Sequence, residues 1–312
     1  MNHKYTNILV IKLSALGDFI LSTGPFKAIR QHHKNSNITL LTTSLFAPIA
    51  KKTGWFDDIY IDKKPKAYEF KEWLKLRKFI KGNNWSRIYD LQHNDRTSIY
   101  FRFLTKPKPE WSGIEKNCSH KHNNPDRDML HTIERQIEQL EIAGITDVPD
   151  TDISWLEDNI EIFNLPENYC IIVPGGAFHR KNKRWPEQEY IKLSKYLLEK
   201  NITPVLIGTK SEEDITTNIS RISSSIINLT NKTSIGQIAS LGRKAKLSIG
   251  NDTGPMHILS ATGCPSLVLF SEESRPSETA PRGKVTEIIQ SKDIKKLFFE
   301  NILVKIEKLL VY

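Results

Sequence analysis

Cysteine is scarce in this chain: Cys118, Cys170 and Cys264 are the only three in 312 residues, and no two stand close together in sequence. An odd, scattered set excludes a disulfide framework and a CxxC-type zinc site, so a reducing cytosol is the expected compartment. Long apolar runs are absent as well. No stretch approaches the ~18 residues of a membrane span. The apolar segment from Ile8 to Leu21 is interrupted by Lys12 and Asp18 and reads as a buried first strand, not a signal peptide. Two glycine signatures are also missing. No GxGxxG follows an expected strand and no GxxxxGK[ST] occurs, which removes the dinucleotide fingerprint and the P-loop. What remains is a chain with 38% hydrophobic and 26% charged residues and a mean hydropathy of −0.41, the composition of a soluble globular protein. Its length predicts two domains of about 150 residues, each able to bury its own core.

Charge is unevenly placed. Residues 1–110 carry 20 Lys/Arg against 9 Asp/Glu, a net +11, and residues 111–312 carry 25 against 27, a net −2. A basic first third implies an anionic partner: nucleic acid, an anionic membrane surface or a phosphorylated substrate. A Lys-rich solvated face is the alternative.

The first half alternates short apolar strands with helical patterns. Strands are expected at 7–13, 38–43, 59–61 and 87–91, and helices at 19–34, 45–53, 68–82 and 97–104. Residues 105–128, with Pro107, Pro109 and Pro125, read as a long loop around a short strand near 110–113. A helix follows at 129–143, and the turn-rich, acidic stretch 145–168 is the expected inter-domain linker. The alternation then restarts, with strands at 169–173, 203–207, 226–229, 246–250, 266–270 and 285–289. Helices are expected at 187–200, 211–222, from Ser234 to about 243, at 255–262, and at the C-terminus behind an Asp293 cap. This pattern predicts an α/β protein of two doubly wound parallel-sheet domains facing across a cleft, with ligands beyond the carboxyl ends of the strands.

Three expected strand ends carry unusual chemistry. Lys12-Leu-Ser-Ala-Leu-Gly-Asp18 combines small residues, which let backbone approach a ligand, with a carboxylate at a helix start; Asp18 is also open to reading as an N-cap. Val173-Pro-Gly-Gly-Ala-Phe-His-Arg-Lys-Asn-Lys-Arg-Trp-Pro186 sets free backbone N–H groups beside several cations, which favours an anion. Ser248-Ile-Gly-Asn-Asp-Thr-Gly-Pro-Met-His257 ends a strand in a second glycine-containing turn suited to a diphosphate. Cys118, His120, His122 and His131 match no standard zinc spacing, and the triplets Asp126-Arg-Asp128 and Asp150-Thr-Asp152 follow no buried strand, so both are read as structural or solvated. No metal site is expected.

At these three loops the chain resembles glycosyltransferase family 9, the lipopolysaccharide heptosyltransferases. KLSALGD is similar to that family's N-terminal strand–loop motif, PGGAFHRKNKRWP and GNDTGPMH to its two donor motifs, and Leu269–Phe270 followed by Ala280-Pro-Arg-Gly283 to its C-terminal signature. The motifs stand in family order and span essentially the whole chain. The resemblance implies a GT-B fold of two Rossmann-like domains, an acceptor domain at 1–150 and a donor domain at 151–312. It implies inverting, metal-independent transfer from ADP-heptose to a Kdo–lipid A or heptosyl-Kdo–lipid A acceptor, with no cofactor beyond the donor. By motif match Asp18 is the general base and Lys183 neutralises the departing ADP. Gly175, Gly176, Ala177, Asp252, Thr253, Gly254 and His257 line the diphosphate. Glu212, with Glu213 as the alternative register, takes the ribose hydroxyls. Lys12, Gly17 and Arg96, the last in the Asp90-Leu-Gln92 to Arg96 segment, lie on the acceptor side. The partners so implied are a nucleotide sugar and an anionic glycolipid. The chain is expected as a monomer at the cytoplasmic face of the inner membrane.

Other readings stay open at this point. A family member can use another nucleotide sugar, such as an N-acetylglucosamine donor. A nucleotide-sugar epimerase shares the two-domain layout, but it needs no lipid acceptor and so leaves the basic first third unexplained. A nucleic-acid-binding protein would use that basic third, but no recognised binding motif accompanies it.

Overall fold

The computed structural model describes residues 6–176 and 184–312. The chain forms two compact units, Met1–Asp152 and Ile153–Tyr312. Each is the expected α/β class, a six-stranded parallel sheet with helices between the strands. No helix among the described residues is long and apolar enough to cross a membrane.

In the first unit the strands are β1 (Asn7–Ile11), β2 (Asn37–Thr42), β3 (Asp58–Ile61), β4 (Trp85–Asp90), β5 (Glu110–Gly113) and β6 (His120–Lys121). Their spatial order is β3-β2-β1-β4-β5-β6. Leu9 and Ile11 of β1 join the core that holds Leu76, Ile80, Tyr100 and Phe101. Ile8 and Val10, equally buried, take the opposite face by the two-residue alternation of a strand. The helices are α1 (Leu16–Leu21), α2 (Thr23–His32), α3 (Ala47–Thr53), α4 (Phe70–Gly82), α5 (Asp95–Phe103) and α6 (Thr132–Ile142).

The second unit repeats the plan. Its strands are β7 (Tyr169–Val173), β8 (Thr203–Leu206), β9 (Ile227–Asn228), β10 (Leu247–Asn251), β11 (Ser266–Ser271) and β12 (Thr286–Ser291), in the order β12-β11-β10-β7-β8-β9. Its helices are α7 (Glu187–Glu199), α8 (Glu213–Ser220), α9 (Ile235–Lys244), α10 (Gly254–Ala261), the short α11 (Pro276–Thr279) and α12 (Phe299–Leu310). Renumbered within each unit, both sheets have the 3-2-1-4-5-6 order of a dinucleotide-binding fold, although neither carries that fold's glycine fingerprint. In this order the chain reverses its winding between the first and fourth strands. That places one topological switch point between β1 and β4 and another between β7 and β10.

Three expectations change. The helix expected at 19–34 is two helices meeting at Ser22, because Pro25 has no N–H to give Leu21 and is tolerated only in the first turn of a new helix. Asp293 caps a 3₁₀ turn at Ile294–Lys296, with its carboxylate accepting from Lys295 N–H at 3.1 Å, and does not cap the last helix. The chain extends again at Leu297 and Phe298, so that the Leu297 carbonyl accepts from Trp185 Nε1 at 2.5 Å and Phe299 N–H reaches Glu189 at 2.6 Å. Third, the expected loop 105–128 holds, beyond the strand expected at 110–113, a second one, the edge strand β6. Ser119 accepts from Trp111 N–H at 2.8 Å and His122 N–H donates to Gly113 at 2.8 Å, which ties β6 to β5.

Residues 153–160 have little regular structure but are not loose. Ile153, Leu156 and Ile160 are buried, and Arg243 of α9 donates to the carbonyls of Ile153 and Leu156 at 2.6 and 2.8 Å. This segment belongs to the second unit by its packing.

Candidate functional site

The switch point of the first unit is built by the segments leaving β1 and β4. Gln92 Oε1 accepts from the backbone of both Leu13 and Ser14, at 2.7 and 3.0 Å. Lys12 Nζ donates to the Leu91 carbonyl at 3.0 Å. One side chain from each segment thus fastens the backbone of the other, across a sequence separation of 79 residues. Lys12 is buried at 3% exposure. Burial pushes its ammonium down, and the nearby Asp18 and Asp90 carboxylates oppose that. Lys12 therefore works as an internal fastener here.

Asp90 ends β4 at 1% exposure, and its Oδ1 accepts from the N–H groups of Gln92 and His93 at 3.0 and 3.2 Å. Burial outweighs these bonds and the attraction of Lys12, and its pKa is pushed up to about 6. Behind it, Gln139 of α6 donates to the Asp90 carbonyl and to Ser112, and Gln136 donates to Ser22 at the α1–α2 junction. Helix α6 thereby holds α1 against the strand ends.

Asp18 stands in the first turn of α1, half-buried, and its Oδ2 accepts from Ala15 N–H at 3.1 Å. The helix-start geometry expected of it is present. Its carboxylate lies on the edge where β1 and β4 end. Gly17 beside it is buried. Arg96, in the first turn of α5, donates from Nη2 to the Pro65 carbonyl at 2.9 Å and lays its guanidinium over the Trp73 ring at 5.1 Å. Its Nη1 is buried with no partner among the described residues. The histidines lie apart from this edge in function: His122 Nε2 faces Glu138 at 2.9 Å, and His131 accepts the Ile133 N–H at the start of α6.

The second switch point is where β7 and β10 end. Asn251, the last residue of β10 and fully buried, makes three bonds there. Its Nδ2 donates to the Pro174 and Gly175 carbonyls at 3.0 and 2.8 Å, and its Oδ1 accepts from Trp185 N–H at 3.0 Å. The Gly175 position has no room for a side chain, since a Cβ would sit 2.9 Å from Glu212 Cγ. Glu212 is buried at 5%, whereas Glu213 is exposed, so Glu212 is the one beside the glycine loop. Its Oε2 accepts from Thr209 N–H and Oγ1 at 2.9 and 2.8 Å, and its Oε1 from Ser211 Oγ at 2.5 Å. Arg184 adds a cation: its Nη2 donates to the Gly176 carbonyl at 2.8 Å and lies 3.8 Å from Glu212 Oε1.

Across the switch point, Asp252 Oδ2 accepts from the buried Ser274 at 2.8 Å. Thr253 is the extended residue before α10, and Gly254-Pro255 open that helix. Its first turn exposes backbone N–H groups at the positive end of the helix dipole, a setting for an anion. His257, one turn in, is buried. Gly175, Gly176, Glu212, Asp252, Thr253, Gly254 and His257 thus converge on one end of one sheet. Ala177 and Lys183 lie outside the described residues. A separate groove of about 780 Å³, lined by Glu161, Asn164, Tyr169, Lys244 and Lys246, sits at the opposite end of β7 and β10.

Asn251, Arg184, Gln92 and Gln139 bind no expected ligand, yet they shape both loops. Asn251 and Gln92 lie inside quoted motifs. Arg184 lies there too, as one of the cations before Trp185, whereas Gln139 carries no sequence signal that distinguishes it from a surface residue.

Known proteins are similar to this chain in sequence and in fold. The family model described as glycosyltransferase family 9 (heptosyltransferase) matches residues 73–301. Lipooligosaccharide heptosyltransferase 2 of Haemophilus ducreyi is 25% identical over 314 residues, covering 91% of this chain and 88% of the relative. A crystal structure of a family 9 glycosyltransferase from Veillonella parvula covers 100% of this chain and 99% of its own, with a TM-score of 0.82 at 21% identity. The ADP-heptose LPS heptosyltransferase II of E. coli superposes with a TM-score of 0.79 at 19% identity, covering 98% of this chain and 99% of its own.

Proposed function

Since the chain belongs to glycosyltransferase family 9 and has the GT-B fold, we propose that this glycosyltransferase moves a heptose from ADP-heptose to an inner-core lipopolysaccharide acceptor, Kdo–lipid A or its heptosylated form. The observation that carries the reading is the placement of the family's motifs at the two topological switch points, with a helix-start carboxylate at one and glycine-lined anion-binding backbone at the other. The first unit takes the acceptor and the second the nucleotide sugar. The chain acts as a monomer at the cytoplasmic face of the inner membrane.

In the proposed reaction Asp18 removes the proton of the acceptor hydroxyl as that oxygen attacks the anomeric carbon of the heptose. The new C–O bond forms as the bond from that carbon to the diphosphate breaks on the opposite face, which inverts the centre. ADP departs with its charge balanced by Lys183 and by the N–H groups at the start of α10, near Asp252, Thr253, Gly254 and His257. Gly175, Gly176 and Ala177 let backbone approach the diphosphate, and Glu212 takes the ribose edge. Its carboxylate already accepts three local bonds, so it would add the sugar hydroxyls as further donors. Lys12 and Gly17 shape the acceptor side, and Arg96 offers its buried Nη1–H to an acceptor phosphate.

Thermal melts with ADP, UDP, GDP, CMP and NAD test the donor class. A nucleotide at 100 times its Kd stabilises by about 2.7 kcal/mol, which such a melt resolves. An ADP-selective shift, followed by heptosylation of Kdo–lipid A from ADP-heptose, is the expected result. A UDP-selective shift would replace ADP-heptose with another donor, and no shift with any nucleotide would refute the donor site.

A further inference from the structure

The densest unassigned feature of the first unit is an exposed segment running from the end of β3 through α4. Residues 61–81 hold eight Lys/Arg against three Asp/Glu. The three acids are already engaged: Asp62 is buried against Tyr100, Glu69 accepts Lys66 N–H at 2.6 Å, and Glu72 pairs with Lys63 and Lys75. Within this cationic field three large apolar side chains face solvent, Tyr68 at 68%, Phe70 at 71% and Leu74 at 62% exposure. They are not strays on a polar helix. Helix α4 buries Leu76 and Ile80; at 100° per residue Leu74 projects away from them and Phe70, one turn earlier, flanks it, followed by Arg77, Lys78 and Lys81. The helix therefore has a second apolar stripe, outward and ringed by lysine.

We infer that this face seats the protein on an anionic lipid bilayer, with Tyr68, Phe70 and Leu74 entering the head-group region and Lys64, Lys66, Lys71 and Lys78 resting on lipid phosphates. Exposed aromatic and aliphatic side chains framed by long cationic ones match the bilayer interface, where the stems stay in the apolar layer and the ammonium groups reach the phosphates. A nucleic acid would use the cations but gain nothing from a Phe–Leu stripe on a convex helix. Position supports the same partner. The segment leaves the carboxyl end of β3, beside the end of β2, on the sheet edge where β1 and β4 also end. Arg96 ties its Pro65 to the first turn of α5. A lipid anchored under α4 thus has its head group beside the edge that carries Asp18. The inference rests on the proposed acceptor only for why a bilayer should be met there.

Sedimentation of the full chain with phosphatidylcholine vesicles, with and without phosphatidylglycerol, at physiological ionic strength tests it. We expect binding to the phosphatidylglycerol vesicles alone. Each basic residue at such a surface contributes roughly fivefold, so Lys64→Glu/Lys66→Glu should weaken binding at least about tenfold. Phe70→Ser/Leu74→Ser should weaken it comparably. All four positions are exposed, so unchanged melting and unchanged ADP response report an intact fold and donor unit. Absence of vesicle binding by the natural chain, binding indifferent to both double variants, or binding of duplex DNA in place of vesicles would each overturn the docking face. An absent ADP response would count against the glycosyltransferase reading instead and leave the vesicle result standing.

Discussion

Replacing Asn251 by alanine tests the second switch point at its most connected atom set. The substitution deletes one acceptor and two donated bonds from a side chain with no solvent access. The Trp185 N–H, on a residue only 1% exposed, is left as a buried donor without an acceptor. An orphaned buried group costs about 1–3 kcal/mol. The Pro174 and Gly175 carbonyls lose a shared donor as well, and a small void remains. Together these give a loss of roughly 2–4 kcal/mol in the second unit. For a unit of this size that lowers Tm by roughly 4–16 °C. Because the same atoms hold the Gly175 backbone against the end of β10, ADP affinity should fall about tenfold, and kcat less than KM rises. Asn251→Asp separates the bonds. It keeps an acceptor for Trp185 N–H but turns an oxygen toward two carbonyls, so it should be as damaging at neutral pH and partly recover on acidification, when the carboxyl gains a proton to donate. Differential scanning calorimetry and ADP titration check both. A melting temperature within about a degree of the natural protein and unaltered ADP affinity in Asn251→Ala would refute the fastening role.

Asp18→Asn should bind ADP normally and lose turnover by about 10²- to 10⁴-fold, measured under saturating donor; near-normal turnover removes Asp18 as the base. Lys183→Ala should weaken ADP in a thermal-shift titration as well as slow the reaction, and unchanged ADP affinity would exclude it from the donor site. Asp90 predicts a pH effect of definite sign. Its folded pKa, about 6, lies above the ordinary 3.8, so the folded chain holds this proton more tightly, and the contribution present below about pH 4 is lost as pH rises through 6. At 1.36 kcal/mol per unit the loss is roughly 3 kcal/mol at most. Urea titrations across this range should show it, and Asp90→Asn should flatten that part of the profile.

Much of the scaffold is legible in the chain's periodicities. The run at 169–173, Tyr-Cys-Ile-Ile-Val, is an observed strand, because a near-continuous apolar stretch bounded by turn residues has one good solution in a sheet covered on both faces. Where the reading slipped, a partner far along the chain decided. The last helix begins at Phe299 and not behind Asp293, because the Leu297 carbonyl is needed by Trp185, 112 residues earlier. The two-residue β6 was invisible, since so short an edge strand exists only through its pairing with β5.

The candidate site divides in the same way. The small residues and the carboxylate after the first strand, and the glycines after the strands ending at 173 and 251, stand out in the sequence as candidate ligand turns, because backbone that bare beside charge suits the close approach of an anion. Which of Glu212 and Glu213 faces the glycine loop depended on the 3₁₀ turn that buries the first and exposes the second. Lys12, placed on the acceptor side by motif match, is a buried fastener in the fold.

The amino-acid sequence by itself determined the two α/β units, the basic character of the first, and the turns that carry chemistry, since each is written in local spacing and local charge. Only the tertiary structure decided that β1 lies beside β4 and β7 beside β10, and hence that Gln92 closes on Leu13 and Asn251 on Gly175 and Trp185. Strand order follows from how whole layers pack and how crossovers wind, and no window of neighbouring residues contains that information.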